Sequence, residues 1–196
     1  DTGVMYRAVT WVALQRGLAI EDEPAITHLA ETLTIEVMRP TVADGRQYTV
    51  LADDQDITWE IRRPEVNYAV SPVSAYKGVR RALTRQQRRI GQAGSVVMVG
   101  RDIGSVVLPE AELKIYLDAT LEERARRRHR EMLQRGQPAE YEAVLAELQR
   151  RDRMDSSREE APLCVAPGAI VVDSTHLSID EVVERVYGLA LAVLAR

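Results

Sequence analysis

Phenylalanine is absent from this 196-residue sequence, and cysteine occurs once, at Cys164. A lone cysteine cannot close an intramolecular disulfide, so burial and hydrogen bonding must hold the fold, and a reducing, cytoplasmic setting is expected. Histidine is scarce too. His28, His129 and His176 lie far apart, and no His-Glu-x-x-His is present, so no metal ligand is assigned to this chain. No Gly-x-Ser-x-Gly marks a serine nucleophile. No apolar run reaches the ~18 residues of a membrane helix, and no secretory leader pattern is visible. A net charge of −4 argues against wholesale attraction to nucleic acid or membrane. What is present is ordinary for a globular α/β protein: 45% hydrophobic and 29% charged residues, with a core to be built from Val, Leu, Ile and Ala.

Periodicity divides the chain into segments. Val4, Ala8, Trp11 and Val12 share a helical face over 4–16, with Gly17 as a stop. A second helix is expected after Asp22, with Pro24 in its first turn and Ile26, Leu29, Ala30 and Leu33 in period. Residues 34–60 alternate, are β-branched, and hold Asp44-Gly45 between two extended runs; they read as a small β insert with a hairpin. Helical character returns from Pro72 to Gly91. The runs GSVVMVG (94–100), ELKIYLDA (112–119) and GAIVVDST (168–175) read as fully buried strands of a parallel sheet. Helices are expected between and after them, at about 120–134, about 138–155 and 178–194. Strands alternating with helices imply βαβ units in a doubly wound sheet.

The chain opens DTGVMYRAV, and Asp-Thr-Gly is also an aspartic protease signature. That chemistry needs a second carboxylate to share a proton. No second Asp-Thr-Gly or Asp-Ser-Gly follows, and the triplet runs directly into an amphipathic helix. Asp1 therefore reads as the end of a strand turning into a helix. Such strand ends are where ligands bind in doubly wound sheets. Thr2, the Gly3 backbone and Arg7 would suit an anion or nucleotide there, with a solvated surface charge as the alternative for Arg7.

Other arginines fall at comparable positions. Arg101-Asp102 directly follows the apolar run 94–100, either as a ligand site or as a structural ion pair. Arg151, Asp155 and Arg158 are spaced by four and three, and share a face if the helix runs through them. Guanidinium groups suit phosphate and a carboxylate suits ribose hydroxyls, while an exposed salt-bridged helix explains the same spacing. Arg124, Arg127 and Arg128 form a basic stripe that fits a lid over polyphosphate or a nucleic-acid surface. Acidic overall balance and the lack of neighbouring aromatics weigh against the latter.

DTGVMYRAV, WEIRRPEV, VSPVSAYKGVRRALTRQQR, GRDIGSVVLPEAELKIYLDA, EERARRR, RRDRMDSSREEAPL and IVVDSTHLSIDEVV occur in that order. As an ordered set covering nearly the whole chain, they resemble bacterial cytidylate kinase. The resemblance implies a P-loop nucleoside monophosphate kinase-like α/β fold: a parallel sheet with helices on both faces, a small antiparallel β insert and a helical lid. It divides the chain into a core of 1–33 and 61–196, with a lid at about 120–160, and an insert of the nucleotide-binding region at 34–60. It also implies transfer of the ATP γ-phosphoryl to CMP or dCMP with Mg²⁺, by a monomer that binds neither nucleic acid nor membrane. Ser71, Arg80 and Asp102 would read the cytosine. Arg7, Arg101 and Arg158 would hold the acceptor phosphate, and Arg151 and Asp155 the ribose. Thr2 and Tyr6 would face the nucleotide, and Arg124 and Arg128 would close over ATP.

There are two departures from the family pattern. Val99 stands where an acidic residue often precedes Gly-Arg-Asp. The family's first strand, P-loop and first helix are expected before residue 1. The only lysines, Lys77 and Lys114, follow Tyr76 and Leu113, so no Gly-Lys-Ser/Thr loop occurs within these residues. On this reading the absence of that strand leaves a groove in the sheet, and these residues alone bind no ATP phosphates and transfer none. Three readings follow: a CMP kinase represented by part of itself, a pyrimidine-nucleotide-binding module without catalysis, and a basic-helix nucleic-acid binder.

Overall fold

A computed structural model describes residues 1–157 and 161–195. The chain separates into a unit of Asp1–Gly100 and a unit of Arg101–Arg196.

The first unit is built around α1 (Gly3–Gln15), whose apolar residues bury nearly its whole circumference, Met5, Ala8, Val9 and Ala13 most completely. Gly17 closes it at φ +65, a left-handed conformation that glycine adopts without strain. Asp22 caps α2 (Glu23–Thr32): its carboxylate accepts from Ala25 N–H at 3.0 Å, and Pro24 occupies the first turn. An antiparallel sheet follows, β1 (Ile35–Met38), β2 (Thr49–Ala52) and β3 (Gln55–Asp56), in that order. The sequence pointed to Asp44-Gly45 as the hairpin turn, but that pair sits within the long 39–48 connection. The tight turn is Asp53-Asp54, at φ 45 and 64 between β2 and β3. Positive φ at both central residues is what a two-residue turn of matching twist requires, and aspartate tolerates it better than most residues.

A 3₁₀ turn (Glu60–Arg62) leads into α3 (Pro64–Val73) and α4 (Lys77–Gln92). Helix therefore begins well before the expected Pro72, which lies in the last turn of α3. Pro64 at the first helical position and Glu65 in the first turn are the start signals that the expectation overlooked. α1 packs on α2, α3 and β2, and α2 on α4, enclosing Ile26, Ile57, Ile61, Val66, Val73, Val79 and Leu83.

The expected buried strand over 94–100 is absent. Gly94 and Ser95 take left-handed backbone at φ 85 and 50, which breaks an extended run at its start. Residues 96–99 have no strand partner, and Val97 is 90% exposed. An apolar run favours burial, but it becomes a strand only where a neighbour takes its N–H and C=O groups.

The second unit contains a single π-type turn (Ile103–Val107) and a parallel pair, β4 (Ile115–Asp118) and β5 (Ile170–Asp173), in register Ile115↔Ile170 to Asp118↔Asp173. These two strands match the expected segments. They are not fully buried, however: Val172 is enclosed while Leu117, Ile170 and Val171 are exposed. Ile170 shares the face of Val172 but is uncovered, so cover on that face reaches only the middle of β5. Thr120 caps α5 (Leu121–Gln134), which packs on α6 (Tyr141–Ser156). Ser178 and Glu181 form a complete capping box at the start of α7 (Ile179–Leu194). No described helix is long and apolar enough to cross a membrane.

Candidate functional site

In the first unit, five residues singled out from the sequence sit on α1, α3 and α4 or at their ends. Thr2 precedes α1 and is buried. Its N–H and hydroxyl both donate to the Val99 carbonyl, at 2.9 and 3.1 Å. The Asp1 carboxylate accepts from Gly3 N–H at 2.8 Å. Tyr6 and Arg80 come together: the Arg80 guanidinium carbon stands 5.6 Å from the Tyr6 ring centroid, and both residues are buried. Arg80 also donates from Nη1 to the Ser74 carbonyl at 3.1 Å. The same chain bend involves Ser71, whose carbonyl accepts from the Ser74 hydroxyl at 2.9 Å. These contacts set the buried guanidinium over an aromatic face and against a carbonyl acceptor.

Arg7, one turn into α1, donates from Nη1 to Asn67 Oδ1 at 2.6 Å and to the Ile61 carbonyl at 3.1 Å. Asn67 lies in none of the ordered motifs, and no spacing rule connects it to Arg7 60 residues away.

In the second unit, Arg101 forms an ion pair with Asp155, whose side chain is 1% exposed. Placing a carboxylate so deeply is costly without a cation beside it, and the Arg101 charge offsets that cost. The next residue, Asp102, is buried, and its backbone carbonyl caps the π-type turn by accepting from Val106 N–H at 2.9 Å and Val107 N–H at 3.2 Å. Arg151 and Asp155 share one face of α6. That helix closes at Ser156, so the expected three-residue face holds for these two; Arg158 lies outside the described residues.

The basic stripe of α5 is engaged within its own unit. Arg124 makes a two-pronged contact with Asp152 of α6, Nη1 to Oδ1 at 3.2 Å and Nη2 to Oδ2 at 2.8 Å, and its Nε donates to the Ala119 carbonyl. Donating to the Asp152 carboxylate holds the Arg124 guanidinium above its ordinary pKa. Arg127 bonds Glu123 at 2.9 Å and reaches Ser174 at the end of β5. Arg128 pairs with Glu131 at 2.8 Å. Asp152 is separated from Arg124 by a whole helix and a connection, too far for a spacing rule to find.

Among the described residues no group of three or more His, Cys, Asp or Glu comes together as a metal site.

A family model described as cytidylate kinase matches residues 1–191. The chain is 50% identical to a cytidylate kinase of Herpetosiphon aurantiacus over 189 residues, covering 96% of this chain and 81% of that protein. It is 54% identical to a cytidylate kinase of Chloroflexus aggregans over 156 residues, 80% of this chain and 68% of that protein. A bifunctional pantoate ligase/cytidylate kinase of a Synechococcus strain is 43% identical over the full chain, which covers 36% of that larger protein. The mixed α/β architecture, with its parallel strand pair and helices, is consistent with the P-loop nucleoside monophosphate kinase fold. The chain belongs to the cytidylate kinase family.

Proposed function

We propose that the protein transfers the γ-phosphoryl of ATP to CMP or dCMP, giving CDP or dCDP. The observation that carries this reading is the match of the cytidylate kinase family model to residues 1–191. Phosphoryl transfer asks little covalent work of a protein: it needs two substrates in line and positive charge around the moving group. Arg7 and Arg101, with Arg158, supply that charge to the acceptor phosphate. Arg151 and Asp155 hold the ribose. Asp102 accepts from the exocyclic amine of cytosine, and Arg80 donates to the ring acceptors, with Ser71 beside it. Thr2 and Tyr6 face the nucleotide. Arg124 and Arg128 belong to a lid at about 120–160, and residues 34–60 form an insert of the nucleotide-binding region.

ATP is the phosphoryl donor in this reading, and Mg²⁺, when bound with it, neutralises charge on the β- and γ-phosphates. No described residues are grouped to ligate that ion, and none is assigned to it. The Walker loop that grips donor phosphates does not occur in these 196 residues. The protein acts as a monomer in the cytoplasm.

The test is CMP-dependent ADP release from this chain fused behind a strand–Walker loop–helix unit of a relative. CDP formation that exceeds AMP phosphorylation is expected. A folded fusion that releases no ADP with CMP overturns the proposal.

A further inference from the structure

We infer that Asn67 is a positioning residue for the acceptor phosphate: it orients the Arg7 guanidinium and touches no substrate itself. The inference rests on the reading that Arg7 binds that phosphate. A guanidinium on a flexible stem loses side-chain freedom when it grips an anion, and the loss is smaller where the head group is already held. Arg7 is held in this way. Its Nη1 carries two hydrogens in the guanidinium plane, and two acceptors stand against it from different elements, Asn67 Oδ1 on α3 at 2.6 Å and the Ile61 carbonyl at 3.1 Å. Two in-plane bonds on one nitrogen fix both the position and the tilt of the rigid fork.

The two acceptors differ in how firmly they are placed. Ile61 is fully buried, and its carbonyl belongs to a one-turn 3₁₀ helix, too short to satisfy all its own backbone acceptors. Asn67 is exposed, and water competes for its amide. Its acceptor is neutral. It therefore anchors Arg7 without cancelling the positive charge that a phosphate needs, as a carboxylate at this place would.

Because Asn67 is exposed in mid-helix, alanine there keeps or improves helix stability. This separates positioning from folding. Titration with CMP and with cytidine, which lacks the phosphate, is done on the parent, Asn67→Ala, Arg7→Ala and the double variant. Asn67→Ala is expected to weaken CMP about three- to tenfold, as the loss of one hydrogen bond to a charged group does. Cytidine binding stays unchanged, the thermal midpoint is unchanged or raised, and no further loss appears in the Arg7→Ala background. If Arg7→Ala weakens CMP and Asn67→Ala does not, the positioning role is overturned and the phosphate role of Arg7 stands. Equal loss of CMP and cytidine in Asn67→Ala also overturns it. If neither variant affects CMP, the underlying reading of Arg7 fails.

Discussion

Gly78→Ala tests how closely α2 and α4 approach each other. A Cβ built at Gly78 would stand 2.3 Å from Thr27 Cγ2, 2.4 Å from Thr27 Oγ1 and 2.9 Å from Thr27 Cβ. Ordinary carbon contacts lie near 3.5–4.0 Å. Rotation of Thr27 can clear the first two atoms. It cannot clear its Cβ, which the α2 backbone fixes, so α4 has to move back. Two effects of opposite sign then compete. Replacing glycine in a helix gains at most about 1 kcal/mol, and less in the first turn where Gly78 sits. Overpacking a tight contact costs about 1–3 kcal/mol. We expect overpacking to win, with a net loss of about 1–2 kcal/mol in urea unfolding. The displacement also reaches Arg80, two residues further along α4, and loosens its contacts with Ser74 and Tyr6. Thr27→Ala in the same background removes two of the three close atoms and should recover roughly half of the loss. A Gly78→Ala variant as stable as the parent refutes the close approach.

Three further outcomes follow from named contacts. Arg124 and Asp152, each about a third exposed, should show a coupling of about 0.5–1 kcal/mol in a double-mutant cycle at low salt, shrinking in 0.5 M salt; zero coupling contradicts the clasp. Asp44 accepts from Arg46 and Trp59, which hold its carboxyl well below the usual carboxylate range. A depressed pKa gives stability that is present above the ordinary value near 3.9 and is lost as pH falls below it. Asp44→Asn should thus be less stable than the parent at pH 7 and lose less on acidification to about pH 3; parallel losses refute this. Ser178→Ala removes one half of the α7 capping box and should cost about 1 kcal/mol, read as a lower thermal midpoint in far-UV circular dichroism. An unchanged midpoint counts against the cap.

Elements with local signals were legible in the sequence. The periodic faces of α1 and α2, and Pro24 in the first turn of α2, are written within a few residues of one another, and the structure has them where they were expected; the Ser178–Glu181 box at the start of α7 is equally local but was not read from the sequence. The parallel pairing of β4 and β5 followed from two apolar runs separated by helices. Burial was harder to read. The 94–100 run looks as apolar as a core strand, yet strand state depends on a neighbour that no local pattern specifies. Asp44-Gly45 does lie between the antiparallel strands β1 and β2, in a long connection, whereas the tight turn at Asp53-Asp54 has no glycine to announce it. Family membership was legible through ordered motifs. The contacts around the candidate residues were not: Asn67 meets Arg7 across 60 residues and Asp152 meets Arg124 across 28. Only the folded chain brings them together.

Calorimetric titration of the folded 196-residue chain with CMP and AMP decides whether it holds an acceptor site for a cytosine nucleotide. Asp102→Asn is the informative variant, because Arg101→Ala would also strip Asp155 of its ion-pair partner. We expect CMP to bind at least about tenfold more tightly than AMP, and Asp102→Asn to narrow the gap by removing an acceptor for the cytosine amine. Equal affinity for CMP and AMP, or a preference for CMP that survives Asp102→Asn intact, would contradict this.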